Sequence, residues 1–154
     1  MTLMGCVLIS SEHVETLIDA AMEDVKNGMG IRLFDLAGVF NSIAEAQDEP
    51  FLHVIPQAVG GFGSALMTSR TMVALPMLPE PMRQRLSSVV KTAVETAMKS
   101  LKTIKTELCS KKEVDHKELM YAIGELFRQA GILMKESQAI SPRRSGSSSS
   151  AGDE

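Results

Sequence analysis

The chain has 154 residues, 44% of them hydrophobic and 23% charged, with a formal net charge of −3. That length suffices for one domain with a single buried core and gives no reason to expect two. Scattered Lys and Arg on a net negative chain argue against a nucleic-acid surface, which needs clustered cations, and no segment approaches the about 18 apolar residues of a membrane span.

Residues 1–10, MTLMGCVLIS, read as an apolar N-terminal arm. The run has no positive n-region and is shorter than a signal peptide needs. Initiation at Met4 would expose Gly5 to myristoylation and Cys6 to palmitoylation. Ile9 stands where such a motif carries Ser or Thr, so an arm folded onto the core is the expectation. Cys6 and Cys109 lie in regions of different character and nothing forces them to pair. A reducing, cytoplasmic setting fits.

From residue 11 the pattern is helical. Val14, Leu17, Ile18, Ala21, Met22 and Val25 follow the three-four spacing of a buried helix face, and Lys26-Asn27-Gly28 is a C-terminal stop. Leu33, Phe34, Leu36, Ala37, Phe40, Ile43 and Ala44 repeat the pattern until Pro50, before which a helix must end. The stretch from Phe51 is ambiguous. FLHVIPQAV followed by GGFGS could be a strand and glycine turn of a nucleotide fold, but the glycines match no phosphate-binding motif and Pro56 opposes a central strand. Read as a helix, Ile55, Ala58, Val59, Phe62, Leu66 and Val73 share one face. The preferred reading is a helix bent or interrupted near Gly60, Gly61 and Gly63.

Leu75 to Pro81 holds three prolines and must be a connector. Pro81 suits the first turn of the next helix, whose positions Leu86, Val90, Ala93, Val94, Ala97, Leu101, Ile104 and Leu108 run to Cys109, roughly 27 residues and about 40 Å. Ser110 with Glu113, and Asp115 with Glu118, have capping-box spacing, so the chain turns there. A last helix presents Leu119, Ile123, Leu126, Ala130 and Leu133. Two long helices joined by a short polar turn predict an antiparallel hairpin. Residues 139–154 lose apolar content and read as a disordered Ser-rich tail, leaving 11–138 as the bundle domain. No internal repeat is visible.

Chemistry-bearing constellations are few. Glu113 and His116 have the spacing of a di-iron helix motif, but a second copy and two further carboxylates are missing, so no metal or other cofactor is expected. No serine sits in a nucleophile elbow, and neither cysteine has an adjacent base; an enzyme is not expected. Gly124 and Gly131, seven apart, each cost about 1 kcal/mol against alanine, which close approach of a helix, or a groove admitting a ligand or partner helix, would offset. The same alternatives apply to Gly60, Gly61 and Gly63. Of the eleven methionines, Met67, Met72, Met77 and Met82 lie in or beside the proline connector, a candidate edge of an apolar groove because methionine repacks readily. The expected groove is therefore Gly60, Gly61, Gly63, Met67, Met72, Gly124 and Gly131. In the tail, Ser141 precedes Pro142, Ser147 follows Arg144 by three and Ser150 precedes Asp153 by three, spacings of kinase sites where added charge is a cheap switch.

LFDLAGVFNS at Leu33–Ser42 with FLHVIPQAVGGFGSALM at Phe51–Met67 resembles the helical opening of glycolipid transfer proteins. That family's headgroup site uses Asp, Asn, Trp and His; this chain has no Trp and no matching polar set, so no residue role follows from the resemblance. The sequence thus predicts an all-α, single-domain bundle of about five helices. Its expected function is a non-enzymatic adaptor or regulatory phosphoprotein that binds a protein partner through a helix groove or the exposed face of the last two helices. The alternative is a carrier of a lipid or other apolar ligand in a Met/Gly-lined pocket.

Overall fold

A computed structural model describes residues 11–47, 50–110 and 114–140. They form five α-helices: α1 (Ser11–Lys26), α2 (Ile31–Gln47), α3 (Val54–Val73), α4 (Glu80–Lys105) and α5 (His116–Ile140). A 3-10 turn, Pro50–His53, leads into α3, and a π-turn, Thr106–Ser110, extends α4. No strand occurs among the described residues. The N-terminal arm with Gly5 and Cys6, Glu113, and the tail with Ser141, Ser147 and Ser150 lie outside them.

Helix α1 buries Val14, Ile18, Ala21 and Val25, one stripe of the three-four pattern. It stops at Gly28, whose φ of 79° is left-handed. There the Gly28 N–H bonds the Val25 carbonyl (2.8 Å) and the Met29 N–H the Asp24 carbonyl (2.9 Å), a Schellman closure. Asp24 then accepts the Arg32 N–H at 3.0 Å and so satisfies a free donor at the start of α2. Phe34, expected in the core, is 45% exposed on the outer side of α2.

Helix α3 runs unbroken from Val54 to Val73, so the interruption expected near Gly60, Gly61 and Gly63 does not occur. Pro56 sits in the first turn, where an N–H has no intrahelical partner to lose. Burial of Ile55, Ala58, Val59, Phe62 and Leu66 offsets the helix cost of the glycines. Gly63 also lets the start of α2 come close: a Cβ there would lie 3.2 Å from the Leu33 Cβ. Gly60 faces Ala37, further along α2. Later residues of α2 thus meet earlier residues of α3, and the two helices are antiparallel.

The proline connector is held by one side chain. The Arg83 guanidinium donates to the carbonyls of Val73, Leu75 and Leu78, fixing the exit from α3 to the first turn of α4. At the other end of α4, Asp115 caps α5 by accepting the Lys117 and Glu118 N–H groups at 3.1 and 3.2 Å. The return bond expected from Glu118 in a capping box is made instead by buried Glu107 in the π-turn, which accepts the Asp115 N–H at 2.8 Å.

Arg85 near the start of α4 pairs with Glu136 near the end of α5 at 2.8 Å, while Ser100 and Thr103 lie beside Tyr121 and Ala122. Helices α4 and α5 therefore run antiparallel. Helix α5 also packs along α3, where the Ser69 and Ser137 hydroxyls share a buried hydrogen bond of 3.1 Å. With α1 against both α2 and α4, the helices close a ring in the order α1, α2, α3, α5, α4 around one core. Helix α5 continues to Ile140, two residues beyond the expected domain limit.

Candidate functional site

The seven residues of the expected groove do not converge. Gly60, Gly63 and Met67 line the contact with α2, where a Cβ on Gly30 would meet Met67 at 3.3 Å. Gly61 faces open space. Met72 belongs to an apolar hollow of about 350 Å³ at the connector, with Leu75, Pro76, Met77, Met82 and Ile140. Gly124 and Gly131 are exposed, and a Cβ on either would meet nothing within 4 Å. The reading that a helix of the bundle approaches them is therefore corrected: their seven-residue spacing puts both on one face, but it is the outer face of α5.

That outer face is the distinctive feature. Met120, Phe127 and Met134, again seven apart, are 44%, 41% and 37% exposed. They interleave with the two glycines as 120, 124, 127, 131 and 134. Steps of four and three keep all five on one stripe, the seam pattern of a helix that packs on another helix. Large side chains thus alternate with gaps in which only backbone lies. Tyr121, 70% exposed, borders the stripe. Arg128 is drawn to Glu125 by two bonds of 3.1 and 2.9 Å instead of lying across the apolar side chains; the bonds hold the Glu125 carboxyl below its usual range. Helix α5 is apolar on two faces, and the inner one buries Leu119, Ala122, Ile123, Leu126, Gln129, Leu133 and Ser137. Met120, Phe127 and Met134 were missed in the sequence because Leu119, Ile123, Leu126 and Leu133 already accounted for a core face. The signal was the second three-four series running beside the first.

Nucleophilic chemistry has little support from Cys109. Burial, helped by Glu15, pushes its thiol up to about 11. The thiolate is the reactive form, so iodoacetamide at pH 7.5, followed by peptide mass mapping, is expected to label Cys109 about a hundredfold more slowly than an ordinary thiol. The rate should climb toward pH 11. In that range the unfolded thiol releases its proton first, so stability falls as pH rises from about 9 to 11. Ordinary labelling at pH 7.5 would refute the buried-thiol assignment. Among the described residues no three His, Cys, Asp or Glu side chains cluster as metal ligands, and no helix is long and apolar enough to cross a membrane.

No protein-family model, curated protein or solved structure matches the chain. The class defined by the fold and this face is an all-helical bundle with an exposed, heptad-spaced apolar stripe.

Proposed function

We propose that the protein is a non-enzymatic interaction module whose α5 outer face receives an amphipathic helix of a partner protein. The observation that carries this reading is the alternation of Met120, Phe127 and Met134 with Gly124 and Gly131. A helix laid antiparallel on the stripe sets its large residues over the glycines and its small ones over the methionines and phenylalanine. The backbones then approach closely without a clash.

The test places a photo-crosslinking benzoylphenylalanine at position 127 of the full chain. Protein adducts of defined mass are expected, and Gly131→Glu should abolish them by filling a gap with a charge. Phe127→Glu should leave folding stability within about 0.5 kcal/mol, as for surface substitutions generally. No adduct, or adducts indifferent to Gly131→Glu, would refute the assignment of this face. An adduct of twice the chain mass would make the partner a second copy.

The carrier reading has one observation in its favour, the Met- and Pro-lined hollow at the connector, whose volume lies at the low end for ligand sites. Native mass spectrometry of the purified protein separates the two: a carrier retains a ligand mass, and a docking module flies as bare protein.

A further inference from the structure

A second surface, away from the α5 stripe and independent of its reading, has a different chemistry. The end of α1, the last turn of α3 and the middle of α4 enclose an open cleft of about 770 Å³. Lys26, Arg70, Lys91 and Lys99 line it, with Glu95 as the one carboxylate, in a chain whose net charge is −3. None of these four cations has a carboxylate partner among the described residues. Every other described arginine has one: Arg32 with Asp24, Arg83 with Glu80, Arg85 with Glu136 and Arg128 with Glu125.

Arg70 is also sterically seated. A Cβ on Gly28 would lie 3.0 Å from its guanidinium, so the glycine that closes α1 leaves the space this group occupies. The negative end of α1 offsets part of its charge, as helix C-termini do for nearby cations. Between the cations, Val90, Val94 and Met98 line the cleft with apolar surface. Their span of eight residues is about 12 Å, two helical turns.

We propose that this cleft docks an acidic amphipathic segment of a partner protein, its carboxylates on Arg70 and the lysines and its apolar side chains on Val90, Val94 and Met98. A solvated anion would need only the cations, and an apolar ligand only the strip; the combination fits a chain that carries both. A flat phosphate surface would meet the rim and be repelled by Glu95, which a peptide can answer with a free backbone N–H of its first turn.

The probe is a fluorescein-labelled, twelve-residue amphipathic peptide of Glu, Asp, Leu and Phe, titrated by anisotropy against the full chain. Binding in the micromolar range is expected. The double variant Arg70→Glu with Lys91→Glu should weaken it at least tenfold, and 0.5 M salt should do the same by screening. Val94→Asp should weaken it similarly, as should a peptide with Ser in place of Leu and Phe. The control pair Lys117→Glu with Lys135→Glu makes the same charge change on α5 and should shift affinity less than twofold. The proposal is overturned by no binding, by equal losses in the control pair, or by equal binding of the serine peptide, which would be charge attraction alone. It is overturned in favour of a lipid surface if phosphatidylserine vesicles bind with the cleft dependence and the peptide does not.

Discussion

Leu101→Ala and Leu126→Ala should each lower stability by about 2–5 kcal/mol, the range for truncating a large aliphatic residue in a packed core. Both side chains are fully buried, Leu101 in α4 and Leu126 in α5. The cost is placed high in the range because α5 is a shared wall, packed on α3 as well as α4. A cavity on its inner face cannot close by moving one helix without opening the contact with the other. In a domain of this size each kcal/mol corresponds to a few degrees, so thermal unfolding should begin roughly 10 °C earlier. Met77→Ala, at a side chain 92% exposed, is the control and should stay within about 0.5 kcal/mol. Control-like values at both leucines would mean that α4 and α5 do not share a packed core.

What could be read in advance was whatever repeats along one helix. The apolar series of α1, α4 and α5 names residues such as Val14, Leu86, Leu101 and Leu126, and all four are buried. Periodicity picks out the residues that share a face, and in α1, α4 and α5 the aliphatic series is the one the neighbouring helices cover. Phe34 shows the limit: it fits the series of α2 but lies at the edge of the stripe, and only the placement of neighbouring helices decides that it is left outside. The continuity of α3 was illegible for a related reason. Three glycines weaken a helix in isolation, and the contacts that offset this, Leu33 and Gly30 on Gly63, come from a segment some thirty residues earlier. Arg83 and Glu107 were invisible as structural residues because each satisfies backbone groups of a connector whose geometry exists only in the fold. The α5 stripe was the opposite case. Its residues were all in view, but two interleaved series on one helix were read as one.

The glycines should respond to alanine with opposite signs. A Cβ on Gly30 would lie 2.9 Å from the Gly63 carbonyl oxygen. That oxygen is backbone within α3, so relief requires α2 and α3 to part, and Gly30→Ala should cost about 1–3 kcal/mol, as overpacking does. A Cβ on Gly63 would lie 3.2 Å from the Leu33 Cβ and 3.3 Å from the Gly30 carbonyl oxygen; these are tight but looser than the contact at Gly30, so Gly63→Ala should cost less. Gly61 has nothing within 4 Å and lies mid-helix. There alanine removes the glycine's conformational penalty without a clash, and Gly61→Ala should stabilise by about 0.5–1 kcal/mol. The nucleotide alternative predicts otherwise: a phosphate cradle would leave the apo protein indifferent to Gly61→Ala, and a nucleotide at a hundredfold excess over its dissociation constant would add about 2.7 kcal/mol that the substitution removes. In the continuous α3 the N–H groups of Gly60, Gly61 and Gly63 are committed to carbonyls one turn back, so none is turned outward to hold a phosphate and no such shift is expected. Thermal unfolding of the three variants, with and without ATP, decides between the two accounts. A gain at Gly30 would refute the close α2–α3 packing, a loss at Gly61 would refute its open place on the outer side of α3, and an ATP shift abolished by Gly61→Ala would restore the phosphate loop.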